Sequence, residues 1–461
     1  MKTSITSRIF YHIYPLGMCG APEQNDFSSP AGNGLLRLIR KIPELCSLGI
    51  NAVYIGPLFE SSAHGYDTVD YYHVDRRLGT NDDLKKLVAA LHENGIAVVL
   101  DAVFNHTGRH FFAFRDIQEK GWDSAYKDWY VNVDFSRRSP EGDSFTYESW
   151  NGCYDLVKLN TSNSAVREHL FGAVRYWIEQ FNIDGLRLDA ADSLDGNFMD
   201  ALSGFCRAID PDFWLMGEVV HGDYRNWAHE GRLDSVTNYE SYKGLWSSFN
   251  DRNFFEIAWS MNRQFGREGL YPHLHLYNFV DNHDVVRAAS VLKNPAHLYP
   301  LYGLLFTIPG VPSVYYGSEN GVRGSKQNGS DAELRPALLD SADELSLACK
   351  PSESSAHLEK TISDFIRIRK EHGALQNGSY RQLFVDMDRF AFMRDNGKEQ
   401  LIIAVNSGET EAPVQIPEQL LASPHRDWVD ILAPEGHRFR CEGGNLSLSV
   451  PSSWLRILKA A

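Results

Sequence analysis

Eight short runs of apolar and β-branched residues constrain the fold of this sequence more than any other feature. They lie at residues 9–14, 52–55, 97–100, 185–189, 213–217, 235–237, 276–280 and 313–316. Amphipathic stretches with the apolar spacing of helices lie between them, at residues 81–94, 164–181, 198–208, 253–265 and 295–306. This alternation is typical of parallel βα units. The sequence therefore predicts the α/β class and a closed (β/α)8 TIM barrel, whose active site would lie at the carboxyl ends of the strands.

Two segments interrupt or extend this barrel pattern. About sixty residues rich in Trp, Tyr, Asp and Ser follow the third strand before the next helix, far more than an ordinary loop contains. After a final helix at 361–371, short alternating strands are predicted at 389–393, 401–405, 412–416, 446–450 and 454–458. We therefore predict a barrel formed by residues 1–106 and 161–374, a small inserted subdomain at 107–160 and a C-terminal antiparallel β-sandwich domain at 375–461.

The charge and composition of the chain argue against some classes of partner. Its 461 residues carry a formal net charge of −15, so a nucleic acid or an anionic membrane surface would be repelled, and a neutral substrate is expected. No apolar run approaches the roughly 18 residues that a membrane-spanning helix needs. The N-terminal residues lack the apolar core of a signal peptide, and the six cysteines lie far apart, as expected for free thiols. We expect a cytoplasmic protein.

Charged residues at the ends of the predicted strands give the first indication of function. Arg187 and Asp189 point to the same side of the fourth strand, and by themselves they fit a structural ion pair as well as a reactive one. Asp101 closes the third strand, Glu218 closes the fifth, and Asp284 follows the seventh. Each of these acids alone fits an ordinary loop residue. A barrel brings all of these strand ends to one rim, which predicts a cluster of carboxylates there.

Clustered carboxylates suit acid–base and nucleophilic chemistry on sugars. Their mutual repulsion separates their pKa values, so that one group can stay ionised as a nucleophile while another stays protonated as an acid. Retaining glycosidases need such a pair. Arg187 would keep the carboxylate of Asp189 ionised and oriented. His106 and His283 are neutral donors suited to sugar hydroxyls, although a single histidine also fits a structural position.

Four motifs in a fixed order contain these residues. They are DAVFNH at 101–106, GLRLDAA at 185–191, MGEVV at 216–220 and FVDNHD at 279–284. Two further segments, HGYDTVDYY at 64–72 and PGVPSVYYG at 309–317, follow the second strand and cover the eighth. On these motifs the chain resembles the α-amylase family of glycoside hydrolases, family 13, over almost its whole length.

The resemblance implies a role for each of the three acids. Asp189 matches the nucleophile that forms a covalent glycosyl-enzyme. Glu218 matches the general acid/base, which protonates the leaving oxygen and later activates water. Asp284 matches the third acid, which binds ring hydroxyls and distorts the sugar.

The resemblance also implies substrate contacts. Tyr66 matches the aromatic platform beneath the sugar at the reaction centre. Asp67 and Arg287 resemble a pair that in some members closes the non-reducing end of the cleft. The positions that match hydroxyl and carboxylate partners are His106, Arg187 and His283.

Within the family, the chain resembles the group of neopullulanases, cyclomaltodextrinases and maltogenic amylases. The segment LVKLN at 156–160 resembles the Met-Pro-Lys-Leu-Asn element of that group. The alanine at position 190, directly after the nucleophile, is similar to the residue that α-1,4-acting members carry there. Two departures concern the leaving-group side. Asp192 and Ser193 replace the Lys-His pair of typical α-amylases, and Val220 replaces a Trp that neopullulanase-like enzymes often carry. The lost ring removes stacking area, which counts against bulky polysaccharides or cyclodextrins as substrates.

The resemblance implies a retaining glycoside hydrolase that cleaves α-1,4-glucosidic bonds in maltooligosaccharides or in related cyclic or branched α-glucans. A 4-α-glucanotransferase or an α-glucosidase on the same scaffold remains open, because the sequence does not decide whether water or a sugar hydroxyl captures the intermediate. A non-catalytic sugar-binding homologue is a third alternative. Such relatives usually lose a carboxylate, and this chain keeps all three.

This chemistry requires no cofactor, but the resemblance raises the question of a structural Ca2+. Many family members bind that ion through the residue that matches Asn105 and through the inserted subdomain, with oxygen ligands. The acids of the insert also fit solvated side chains, so no metal ligand is assigned. They are Asp123, Asp128, Asp134 and Asp143. The expected partner is a neutral α-glucan oligosaccharide, with a homodimer as a candidate assembly.

Overall fold

The computed structural model of the chain describes residues 4–339, 345–421, 427–433 and 435–461. Within these ranges the strands, in chain order, are β1 (Phe10–Ile13), β2 (Ala52–Ile55), β3 (Ala97–Ala102), β4 (His106–Gly108), β5 (Ser149–Trp150), β6 (Cys153–Lys158), β7 (Gly185–Leu188), β8 (Trp214–Gly217), β9 (Ser235–Val236), β10 (Tyr277–Asn278), β11 (Val311–Tyr315), β12 (Ser379–Val385), β13 (Arg389–Asp395), β14 (Gln400–Asn406), β15 (Ala412–Pro417), β16 (Asp427–Asp430), β17 (Arg438–Glu442), β18 (Asn445–Val450) and β19 (Trp454–Ala460).

The α-helices in the same ranges alternate with the strands over the first part of the chain. They are α1 (Pro15–Met18), α2 (Gly34–Leu38), α3 (Ile42–Leu48), α4 (Asn81–Glu93), α5 (Phe112–Lys120), α6 (Ser164–Phe181), α7 (Gly196–Ile209), α8 (Tyr239–Asn250), α9 (Phe255–Phe265), α10 (Ala288–Val291), α11 (Leu298–Thr307), α12 (Leu358–Glu371) and α13 (Gly373–Asn377). None of the helices in the described ranges combines the length and the apolar character that crossing a bilayer requires.

Eight parallel strands form the barrel. Their order in the sheet is β10, β11, β1, β2, β3, β7, β8, β9. A parallel bridge between Thr237, which follows β9, and Tyr277 of β10 closes the sheet on itself. Next to it, the amide of Asn238 donates to the carbonyl of Tyr277 at 2.9 Å. The predicted (β/α)8 fold class is confirmed, and each of the eight predicted strands coincides with one of these elements.

The alternation of side chains along the strands decides which residues reach the mouth of the barrel. Tyr54 of β2, Val99 of β3 and Met216 of β8 belong to one buried cluster of barrel-strand side chains, whereas their chain neighbours pack towards the helices. In a strand, residues two positions apart point to the same side. Asp101 and Glu218 lie two positions beyond Val99 and Met216, so the same parity directs both carboxylates into the barrel mouth.

The insert between β3 and α6 forms a small sheet with its own aromatic packing. Its strands have the order β4, β6, β5, and His106 pairs with Lys158 at the start of β4. Phe114 of α5 packs against Phe145 and Tyr147, at ring-centre distances of 5.7 and 4.9 Å. These ring contacts pack α5 against the segment before β5, and the pairing with β6 holds β4 and with it the backbone of His106.

The C-terminal part of the chain is an antiparallel sheet, as the sequence predicts, with eight strands among its described residues where five were predicted. Hydrogen bonds join the strands in one order: β12, β13, β14, β19, β16, β17, β18, β15. Met393, Ile402 and Leu446 share one core, although they come from different parts of this sheet. The other side chains of β14 and β19, such as Ile403 and Leu455, pack with the barrel cluster. The division at residues 107, 161 and 375 stays a prediction.

Candidate active site

One arginine binds three carboxylates at the carboxyl ends of the barrel strands. Nη1 of Arg187 donates to Oδ1 of Asp101 and to Oδ1 of Asp189, each at 2.8 Å. Nη2 of the same side chain lies 2.9 Å from Oε2 of Glu218. The Arg187 side chain is only 3% exposed. Arg187 and Asp189 are therefore part of a four-residue network, and an isolated structural ion pair is too simple a description.

The residue after Asp189 fixes the two carboxylates relative to each other. Ala190 has φ 45° and ψ 45°, a left-handed conformation that costs a non-glycine residue roughly 1–2 kcal/mol. In this conformation its amide donates to Oε2 of Glu218 at 3.1 Å. The amide of Asp189 in turn donates to the carbonyl of Ala102 at 3.1 Å. The strained conformation of Ala190 therefore allows a hydrogen bond that holds Glu218 next to Asp189.

The crowding of acids changes the protonation of Asp189. Burial raises the pKa of the Asp189 carboxyl well above its ordinary value, and Arg187 opposes this shift. The neighbouring carboxylates of Glu218, Asp101 and Asp284 raise the pKa of Asp189 further. One guanidinium cannot neutralise this many acids, so the cluster retains a proton to a higher pH than separate acids would.

Asp284 faces a different environment from Asp189. Burial raises the pKa of Asp284, but His283 and Arg335 outweigh this and hold it below its ordinary value. Nη2 of Arg335 donates to Oδ1 of Asp284 at 2.9 Å, and Nε2 of His283 lies 2.9 Å from Oδ2. The Arg335 guanidinium also lies over the ring of Tyr14, 4.6 Å from its centre. Asp284 is therefore the permanently ionised acid of the site.

An aromatic and histidine layer lies at the bottom of the site. The rings of Tyr66 and His283 stack at 5.5 Å with an interplanar angle of 15°. The Tyr66 hydroxyl donates to Oδ2 of Asp101 at 3.2 Å and also hydrogen-bonds Nε2 of His283. The ring of Tyr14 also stacks on the ring of His283, with the two ring centres 5.7 Å apart. The layer gives a flat surface next to the carboxylates.

His106 presents an unused nitrogen to the site. Its Nε2 is buried, has no hydrogen-bond partner within the described part of the chain, and lies 3.9 Å from Oδ2 of Asp189. Its Nδ1 faces the side-chain amide of Asn105 at 3.2 Å. Burial lowers the pKa of His106 to about 3, so the ring is neutral. A neutral imidazole with a free nitrogen beside a carboxylate suits a ligand hydroxyl.

Asp67 and Arg287 have separate partners in the structure, and their role at the non-reducing end of the cleft stays a prediction. Arg287 is fully buried, and its guanidinium donates to the carbonyls of Tyr316 at 2.8 Å and Leu334 at 2.9 Å. Asp67 lies beside His64, with its Oδ1 3.7 Å from Nδ1 of that ring. Arg287 lies just before α10 beneath the segment that contains Leu334, where backbone carbonyls already occupy its donors.

Sequence reasoning missed three residues that contact the carboxylates of Asp101, Glu218 and Asp284. The hydroxyls of Tyr54 and Tyr239 donate to Asp101 at 2.7 Å and to Glu218 at 3.5 Å. Tyr54 lies on β2 but in none of the motifs, Tyr239 is the first residue of α8, and Arg335 lies in a polar stretch without periodicity. Only the inward parity of Tyr54 on β2 was a usable signal.

Two acids of the insert, Asp143 and Asp134, have partners within the protein. Asp143 forms an ion pair with Arg109 at 2.7 Å, and Asp134 accepts from the hydroxyl of Ser136 at 2.6 Å. Across the described ranges, no three His, Cys, Asp or Glu side chains converge as metal ligands would. The expectation about Ca2+ stays a prediction.

Comparisons with known proteins agree with this geometry. The family model described as alpha amylase, catalytic domain, matches residues 22–372. A cyclomaltodextrinase of Geobacillus thermopakistaniensis is 30% identical, over 91% of this chain and 69% of its own length. Neopullulanase 2 of Thermoactinomyces vulgaris is 30% identical, over 96% of this chain and 76% of its own length.

A solved structure extends the similarity to the whole chain. The ligand-free cyclic alpha-maltosyl-(1→6)-maltose hydrolase of Arthrobacter globiformis has a TM-score of 0.78 and 26% identity, and the similarity covers 99% of both chains. The match of the family model spans well over half of the 461 residues. The chain therefore belongs to the alpha-amylase family of glycoside hydrolases.

Proposed function

We propose that the chain is a retaining hydrolase of α-1,4-glucosidic bonds in maltooligosaccharides or in related cyclic or branched α-glucans. One observation carries this proposal: Arg187 binds both Asp189 and Glu218, while Asp284 is held by a separate cation. Retaining glycosidases need two carboxyl groups about 5–5.5 Å apart, a spacing that two acids sharing one guanidinium can reach. Relatives named cyclomaltodextrinase and neopullulanase support the α-glucan substrate.

In the first step, Asp189 acts as the nucleophile and Glu218 as the acid. A carboxylate oxygen of Asp189 bonds to the anomeric carbon while the bond from that carbon to the leaving oxygen breaks. Glu218 gives its proton to the leaving oxygen, so the departing sugar is neutral. Arg187 favours the ionised form of Asp189, which the attack on the anomeric carbon needs.

In the second step, Glu218 acts as the base. Its carboxylate takes a proton from water, the water oxygen bonds to the anomeric carbon, and the ester to Asp189 breaks. Two inversions restore the original configuration. The cluster of acids returns to its starting charge, with one proton retained.

The other predicted residues position the sugar. Asp284 accepts hydrogen bonds from ring hydroxyls, since its lowered pKa keeps it an acceptor. Nε2 of His106 is available to a further hydroxyl, and the ring of Tyr66 supports the apolar face of the sugar. These contacts would strengthen as the sugar flattens towards the oxocarbenium-like state.

A substrate panel tests the reaction and its alternatives. Release of reducing sugar from maltotriose, maltohexaose, cyclodextrin and pullulan is the measurement. Release from at least one of them is expected, and no release from any of them would contradict the proposal. Products longer than the input would identify a 4-α-glucanotransferase, and binding without turnover would identify a non-catalytic homologue.

The nucleophile assignment has its own test. Asp189→Asn removes the attacking charge but keeps the shape of the side chain, so kcat should fall by about 10³-fold or more while the thermal unfolding curve remains cooperative. Asp82→Asn makes the same change at an exposed position of α4, where the side chain is 80% exposed, and should leave kcat unchanged. Undiminished turnover by Asp189→Asn would refute the assignment.

We also propose a cytoplasmic location and a homodimer. The thiols of Cys46, Cys153, Cys206 and Cys349 are free, which suits a reducing compartment. Sedimentation velocity tests the assembly, because a single species near 52.2 kDa would contradict a dimer. Cell fractionation tests the location.

A further inference from the structure

A groove outside the carboxylate cluster begins beside Glu218. It has a volume of about 550 Å³, which is within the range of about 300–1,000 Å³ usual for small-ligand sites. Val220, two positions beyond Glu218, lines one end of it, and α8 and α9 form its wall. The Tyr239 side chain lines the groove and donates to Oε1 of Glu218 at 3.5 Å. Tyr239 therefore contacts both the groove and the reaction centre.

One face of α9 supplies much of the wall. Glu256, Trp259, Ser260 and Arg263 all line the groove, and their spacing of three, four and seven residues places them on one side of a helix. Trp259 is 64% exposed, and the guanidinium of Arg263 lies 5.9 Å from its ring centre. An exposed indole ring on a helix offers a flat surface on which the apolar face of a ligand can stack.

The charged residues of the groove neutralise one another. Lys243 forms an ion pair with Glu256, and Arg263 forms one with Glu240. The hydroxyl of Ser260 donates to Oε1 of Glu240 at 3.1 Å. Two cations and two anions leave no net charge, so the groove does not select a phosphate or another ion. An aromatic ring beside paired polar groups suits a neutral ligand with an apolar face and many hydroxyls.

We propose that this groove binds the glucosyl units on the leaving-group side of the bond to be cleaved, with Trp259 as their stacking surface away from the reaction centre. The inference rests on the proposed function, because the groove is lined by Val220, two positions beyond Glu218, and by Tyr239, which contacts Glu218, the acid that protonates the leaving oxygen. Substrates that extend beyond the leaving oxygen therefore gain contacts that shorter ones lack.

The test compares a substrate that fills the groove with one that does not. Maltohexaose carries glucosyl units beyond the cleaved bond, whereas 4-nitrophenyl α-maltoside, cleaved at its aryl bond, has no sugar there. For Trp259→Ala, the ratio of kcat/KM for maltohexaose to kcat/KM for the aryl maltoside should fall about tenfold, the scale of one lost stacking contact. Trp259→Phe should restore most of the ratio.

Trp122 provides the matched control. It is 67% exposed and lies in the insert, outside the residues that line the groove, so Trp122→Ala should leave the ratio at its wild-type value. An unchanged ratio for Trp259→Ala, or an equal fall for Trp122→Ala, would overturn the inference. Absence of turnover of both substrates by the wild-type chain would be a different result, since it would refute the proposed function itself.

Discussion

The cation beside Asp284 offers a direct test of how the site sets its charges. Arg335 donates to Oδ1 of Asp284 at 2.9 Å and is one of the groups that hold the pKa of Asp284 below its ordinary value. Arg335→Met keeps most of the aliphatic stem and removes the charge. The pKa of Asp284 should then rise, because burial acts on the carboxyl with one opposing charge fewer.

The size of the shift follows from the geometry. Two unit charges about 4 Å apart interact by about 4 kcal/mol at an effective dielectric constant of about 20. The Asp284 side chain is 33% exposed, and Arg335 also binds Asp331 at 3.0 Å, so solvent and sharing reduce this interaction. We expect about 1.4–2.7 kcal/mol to remain, which is about one to two pKa units.

The assay is a carboxyl 13C NMR titration of protein labelled at aspartate, with the Asp284 signal assigned as the one that Asp284→Asn lacks. A carboxyl with a raised pKa stays protonated to a higher pH, so the Asp284 signal of Arg335→Met should titrate about one to two pH units higher than that of the wild-type chain. Arg367→Met, at a position of α12 that is 53% exposed, should leave this titration in place. An unchanged titration of Asp284 in Arg335→Met would refute the reasoning, because His283 alone would then suffice.

Two further predictions concern buried charges away from the reaction. Burial raises the pKa of Glu319 to about 7 from 4.5, so the folded chain keeps a proton that the unfolded chain releases, and stability should fall as the pH rises between these values. Urea unfolding of Glu319→Gln at pH 5 and pH 8 should lack this fall, and an undiminished fall would contradict the assignment. Arg369 is fully buried and donates to the carbonyls of Phe306 at 2.9 Å and Gly310 at 2.6 Å, so Arg369→Met should lower the free energy of unfolding by about 1–3 kcal/mol. Arg367→Met is the control in urea unfolding, and an equal effect of both changes would contradict the prediction.

The barrel could be predicted because its strands are buried on both faces. A parallel strand covered by helices outside and side chains inside shows up as a continuous apolar run, and β2 at Ala52–Ile55 is such a run. The charged residues that follow these runs, such as Asp101 and Glu218, are conspicuous for the same reason. Parity along a strand then determines which of them face the barrel mouth.

The residues that sequence reasoning missed lack such a pattern. The strand β16, Asp427–Asp430, begins and ends with an aspartate, the second of them buried, and β17, Arg438–Glu442, alternates charged residues with Phe439 and Cys441, so neither is a continuous apolar run. Arg335 lies in a polar segment, where nothing local indicates the direction of a side chain. The contacts of Arg287 could not be predicted for the same reason, because its partners are backbone carbonyls such as that of Leu334, which no pattern of side chains reveals.

Because three acids share one guanidinium, mutations affect the chemical step and the substrate preference in different ways. A change at Arg187 disturbs Asp101, Asp189 and Glu218 at once, so the bond-breaking machinery is inherited as a single unit. Substitutions at Val220 or Trp259 alter a wall of the groove and no charge. Descendants of this chain can therefore drift from one α-glucan to another while the chemical step stays the same.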